Sequence, residues 1–163
     1  MMLPSHLLAT LLLCALLALW RPLPARAWAL ALVFGVVIDL DHLLQLPVYV
    51  ATNGWAALTP AAMSAWGGAW QGFMHTPWAL AVVVPAALAF RSWMPLAAWG
   101  LHMVLDFVVA TRFVRFGSPL EWLIVGAMLA AFLALVVRDH RAHGGGVGLR
   151  EHALARVALV FGR

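Results

Sequence analysis

The chain has 163 residues, 65% of them hydrophobic and 10% charged, against roughly 45–50% and 25% in soluble domains. That composition excludes an ordinary soluble globule, and the length allows one domain. The net charge of +4 comes from ten arginines and no lysine. They sit at the ends of apolar runs and in the tail, which points to topology and lipid headgroups rather than nucleic acid.

The expected fold is all-α: a polytopic membrane bundle of about five spans, each needing roughly 17–25 apolar residues, with one short interfacial helix. Residues 1–138 form the membrane-embedded domain and 139–163 a basic tail. The first helix covers about 5–20 and ends at Trp20-Arg21-Pro22. No basic residue precedes this run, and Arg21 and Arg26 follow it. The charge order predicts a retained first helix rather than a cleaved signal peptide. Cys14, the single cysteine, lies in this run and is expected to pack as a small apolar residue.

The second span covers about 27–46 and is stopped by Pro47. Residues 48–75 form an uncharged, Trp-rich connection apart from His75, with Thr59-Pro60 as an N-cap and first helical position. Trp55, Trp66 and Trp70 suit the headgroup level. The third span runs about 76–90, and the fourth about 93–111 before Arg112 and Arg115. "SPLEW" at 118–122 has the pattern of a capping box, Ser118 with Glu121 three positions on, and opens a fifth span to about 137. The tail breaks at Gly144–Gly146, and its end reads as an amphipathic surface helix or a disordered segment. His140, His143 and His152 in this tail are expected to be solvated. The arginine distribution places the N-terminus outside and the C-terminus in the cytoplasm.

Seven ionisable groups lie in or beside the first four spans: His6, Asp39, Asp41, His42, His75, His102 and Asp106. Such groups are costly in an apolar span and require partners. Antiparallel packing of successive helices brings all of them toward one end of the bundle. His102 and Asp106 are four apart and share a helix face; Asp39 and His42 are three apart and also converge. Asp41 points elsewhere on an ideal helix, so the segment is distorted or Asp41 serves a separate role. Histidine mixed with carboxylate suits zinc, manganese or iron, and seven groups suffice for one or two ions with supporting partners. A bound cation would also compensate the carboxylates.

The order "SHLL", "DLDH", "MHTPW" and "LHMVLD" resembles the bacterial and archaeal family of small membrane-bound, predicted metal-dependent hydrolases, which includes LexA-regulated inner-membrane proteins. The resemblance covers about residues 5–110. It implies a bacterial inner-membrane location and makes the seven residues above the metal and catalytic set. Two positions depart from the family pattern. Ile38 stands where a proline usually precedes the first aspartate, and "FMHTPW" lacks the Arg-Gly that often precedes the loop histidine. A looser likeness to zinc phospholipases C and related zinc nucleases suggests phosphoester chemistry.

The leading expectation is thus a metal-dependent hydrolase acting on an ester or phosphoester, with membrane lipids or a lipid-linked molecule as substrate. Asp39, His42, His102 and Asp106 are the expected core ligands, with His6 and His75 as further ligands. Asp41 is expected as a bridging ligand or the general base, and His75 as a second catalytic group. The rival readings are a divalent-ion or proton transporter using the same cluster, or a metal that only staples the helices.

Overall fold

A computed structural model describes residues 3–59, 62, 72–111, 113–114, 118–143, 148 and 151. Helix α1 spans Leu3–Ala18 and α2 spans Ala25–Gly35. A 3-10 helix over Val37–Gln45 follows, and then α3, Leu46–Asn53. Short 3-10 turns occupy Trp55–Ala57, Phe73–His75 and Pro77–Ala79. Helices α4 (Leu80–Ala89), α5 (Met94–Ala110) and α6 (Pro119–His143) complete the fold. There is no strand among the described residues.

The expected second span is one continuous helical run, Ala25–Asn53, but it changes character in the middle. Gly35 and the β-branched Val36-Val37-Ile38 weaken the α-helix there, because glycine costs backbone entropy and branched side chains lose χ1 freedom. Val36 leaves the α region at φ −137° and ψ −52°. The 3-10 helix that carries Asp39, Asp41 and His42 takes over. Pro47, expected to stop this span, instead sits in the first turn of α3, where its missing N–H costs nothing.

Two runs are long and apolar enough to cross a membrane, Ala25–Asn53 and Pro119–Ala142. The other apolar helices, Leu3–Ala18, Pro77–Ala89 and Met94–Val109, are shorter. Only 33% and 11% of the most apolar windows in the two long runs are buried, unlike the enclosed core helix of a soluble protein. Leu88, Val104, Leu123 and Leu133 are exposed.

Helix α2 packs on α5, α1 packs on α2, α5 and α6, and α4 packs on α5. The shared core is Cys14, Ala27, Leu30, Ala31, Phe34, Ile38, Ala79, Val83, Met94 and Ala98. Its small residues, Cys14, Ala27, Ala31, Ala79 and Ala98, let the helices approach closely. Cys14 is fully buried among them, as expected.

Ser118 Oγ accepts the Glu121 N–H at 3.2 Å, forming half of the expected capping box. The Glu121 side chain instead accepts a hydrogen bond from Ser5 Oγ at 3.0 Å, both residues being fully buried. This bond ties α6 to the start of α1, one residue before His6. Thr59 Oγ1 accepts the Ala62 N–H at 3.3 Å, consistent with the expected N-cap. Trp55 is exposed. Trp66, Trp70, Arg112, Arg115 and His152, and the His143 side chain, lie outside the described residues. His140, expected to be solvated, is half-buried on α6, because that helix continues to His143.

Candidate metal centre

The seven ionisable groups of the first four apolar segments meet at one end of the bundle. His6 comes from the first turns of α1, and Asp39, Asp41 and His42 from the 3-10 helix after α2. His75 comes from the turn ahead of Pro77, and His102 and Asp106 from the second half of α5. His6, His75 and His102 are buried, while the three aspartates and His42 are partly so.

At the centre, His75 Nε2 and His102 Nε2 stand 2.9 Å apart. Asp39 Oδ1 lies 3.3 Å from the first and 3.2 Å from the second. Asp106 Oδ2 lies 3.5 Å and 3.4 Å from the same two atoms. A tetrahedral ion with bonds of about 2.0–2.1 Å separates its ligands by roughly 3.3–3.4 Å. The four histidine–carboxylate spacings fit that figure, while the two Nε2 atoms stand closer than it.

The far side of each ring settles its tautomer. His102 Nδ1 is 3.0 Å from the Gly35 carbonyl oxygen, which can only accept, so Nδ1 carries the proton. His75 Nδ1 lies 3.1 and 3.2 Å from the two oxygens of Asp41, and again the proton is on Nδ1. In neutral rings both Nε2 atoms then present lone pairs to each other. Such a pair at 2.9 Å is repulsive unless a proton or a cation lies between them.

His6 Nε2 is 3.2 Å from Asp106 Oδ1, and its ring stacks on His102 at 3.9 Å. His42 packs tilted against His75, ring centroids 4.2 Å apart, with Nε2 4.0 Å from Asp39 Oδ1. Three ligand triples are close enough to hold an ion: His6, Asp39 and His102; Asp39, His42 and His75; and His75, His102 and Asp106. The cluster could therefore hold a metal ion. Six of the seven expected residues belong to these triples.

Asp41 belongs to none of those triples. It sits behind His75, where Oδ2 also accepts the Met74 N–H at 2.9 Å. Asp39, not itself expected to bridge, is the aspartate shared by two of the triples. With three residues per turn, the 3-10 helix sets Asp39 and His42 one above the other, and Asp41 reaches His42 Nδ1 at 3.1 Å as well as His75.

Several supporting residues carried no signal in the sequence. A Cβ on Gly35 would collide with the Thr10 side chain, and one on Gly72 with the Asp41 carboxylate. Both glycines thus permit backbone approaches that place His102 and His75. Trp99 Nε1 donates to the Met74 carbonyl at 2.8 Å and holds the loop that carries His75. A Gly ahead of a histidine loop is the one hint that sequence alone supplies for any of them.

His75 lies on the connection ahead of the Pro77–Ala89 helix. Burial pushes its pKa down, but the Asp39 hydrogen bond and the Asp41 charge outweigh this and hold it above the ordinary 6.5.

No family model, curated protein or solved structure matches the chain.

Proposed function

We propose that the protein is a membrane-embedded metal-dependent hydrolase acting on an ester or phosphoester, with a lipid or lipid-linked molecule as substrate. The observation that carries this reading is the pair of Nε2 atoms 2.9 Å apart, both Nδ1 atoms engaged elsewhere, flanked by two carboxylates. His75, His102 and Asp106, with Asp39 beside the two histidines, would hold the ion, and zinc suits their mixed N/O set. His6 and His42, one on each side, complete the site or take part in a second ion position.

Lewis acidity and a water of lowered pKa are what a divalent cation would supply if bound there. The protein's own groups do the rest. Asp41 fixes the His75 tautomer and ring orientation, the task of an outer-sphere carboxylate. Gly35 does the same for His102 through its carbonyl. His42, with about a third of its side chain exposed, is the group at the rim suited to exchange protons with solvent or substrate.

The apolar exposed helices support membrane embedding, with the three shorter helices spanning alongside the two long ones. The order of the motifs, similar to that of the small membrane-bound predicted hydrolases, supports the same reading. In the proposed orientation, inferred from arginine placement, the metal end faces the non-cytoplasmic side of a bacterial inner membrane. The test is a hydrolase screen on detergent-purified protein with phospholipid and carboxylic-ester substrates, before and after chelation. Turnover that is lost on chelation and restored by zinc supports the reading. Metal-dependent flux across a vesicle membrane without turnover would favour transport instead.

A further inference from the structure

The opposite end of the bundle carries a second polar feature. A cavity of about 290 Å³ opens between the start of α2 and the α4–α5 turn, lined by Arg21, Pro24, Arg26, Arg91, Ser92 and Trp93 among others. This volume is near the lower end for small-ligand sites, roughly 300 Å³. No acidic residue lines it. Among the described residues, none of the three arginines has an ion-pair partner. The N-terminal ends of α2 and α5 both face the cavity, with no acidic residue in either first turn, so their dipoles add to the positive field.

Arg91 also stands out in its backbone conformation. It has φ 47°, the only positive φ at a non-glycine position among the described residues. Its N–H bonds the Leu88 carbonyl at 3.1 Å, and the Ser92 N–H bonds the Ala87 carbonyl at 2.9 Å. This is the Schellman closure of α4, and Arg91 takes the left-handed position where glycine is usual. Glycine would remove the backbone strain but also the guanidinium.

An apolar groove of about 370 Å³ adjoins the cavity and shares Arg91, Ser92 and Trp93 with it. It runs along Ala87, Leu88 and Leu96, on the outward surface between α4 and α5. A headgroup-sized cationic pocket that opens into an apolar groove has the two halves of a phospholipid site. Free phosphate would need only the first.

We propose that this end binds one anionic phospholipid, its phosphate among Arg21, Arg26 and Arg91 and an acyl chain along the Ala87–Leu96 groove. The site is separate from the metal centre, about 12 Å away along α5 from Met94 to His102 at 1.5 Å per residue. It rests on the membrane reading and not on hydrolysis. Basic pockets at helix ends on the cytoplasmic side are suited to such headgroups.

The test uses the full chain in phosphatidylcholine discs, with and without about one-third phosphatidylglycerol, followed by loss of helical circular dichroism on heating. Phosphatidylglycerol should raise the wild-type Tm by roughly 5 °C. Arg91→Gly should unfold no earlier than wild type in phosphatidylcholine, since its backbone is relaxed, yet lose at least half of that increment. Arg26→Gln should lose a similar share, and Arg138→Gln none. An undiminished increment in Arg91→Gly and Arg26→Gln would overturn the proposal. So would inorganic phosphate reproducing the whole increment in phosphatidylcholine discs. Failure of the chain to float with vesicles would overturn the membrane reading itself, and this site with it.

Discussion

Asp41 and Asp39 are two positions apart, yet they have different tasks. Asp39 faces the paired Nε2 atoms, while Asp41 grips His75 from behind. Replacing Asp41 by Asn keeps an acceptor but removes the charge, so metal binding should survive with affinity lower by about 10–100-fold, the usual outer-sphere cost. Isothermal titration with zinc would measure this. Complete loss of metal would mark Asp41 as a ligand, and loss of turnover with unchanged affinity would mark it as a base. The sequence separated these roles only as far as noting that Asp41 leaves the face of an ideal helix. Its partner, a loop 34 residues on, is a tertiary fact. A second prediction at this scale concerns pH. His75 must be neutral to ligate, and its pKa is raised in the metal-free protein, so protons compete with metal as pH falls through that raised value. With no metal, the charged His75–aspartate contacts add stability below the ordinary 6.5 and lose it as pH rises through the raised value. The rise in Tm on adding zinc should therefore shrink steadily from alkaline to mildly acidic pH. A rise that grew on acidification would exclude His75 as a ligand.

The run from Ala25 to Asn53 shows what periodicity can and cannot reveal about a helix. Its apolar character was legible, and so was the convergence of Asp39 with His42, but the run extends past the expected 27–46 to Asn53. The switch from α to 3-10 helix after Gly35 was not, because glycine, branched residues and aspartate lower helix propensity without naming what replaces it. Pro47 was misread for a related reason: a proline both ends one helix and begins the next. Gly35 gives this element its sharpest test. Gly→Ala in a helix commonly stabilises by up to about 1 kcal/mol. Here the new methyl meets Thr10, so Gly35→Ala should destabilise by about 1–3 kcal/mol, as overpacking does. It should also weaken zinc binding, since the Gly35 carbonyl holds His102. Thr10→Ala in the same chain should recover much of both losses. Denaturation in detergent with and without zinc would show it, and a stabilised Gly35→Ala protein would refute the close approach. The bond between Ser5 and Glu121 is a further case that pattern reading missed, because a capping-box glutamate has a second possible use that only the neighbouring helix reveals.

Among the described residues, the cluster of seven histidines and aspartates lies at one end of the apolar helices and Arg21, Arg26 and Arg91 at the other. The composition made this legible, since charges in such a chain gather where water or a partner can reach them. In a Cys14→Ser background, Ala57→Cys should react with an impermeant maleimide from the non-cytoplasmic side, and a C-terminal tag should be protected there. Reaction of both from one side would contradict the orientation while leaving the cluster in place. The most direct measurement is the metal content of protein purified without chelator, in wild type, His102→Ala and Asp106→Asn, with His140→Ala as control. Wild type and the control should carry one or two transition-metal ions per chain, and the two ligand variants should lose most of theirs and unfold at lower temperature, because uncompensated carboxylates remain in an apolar setting. A wild-type protein that binds no stoichiometric metal, even when zinc is added back, would contradict the metal centre and leave a proton shared between His75 and His102 as the reason for their approach.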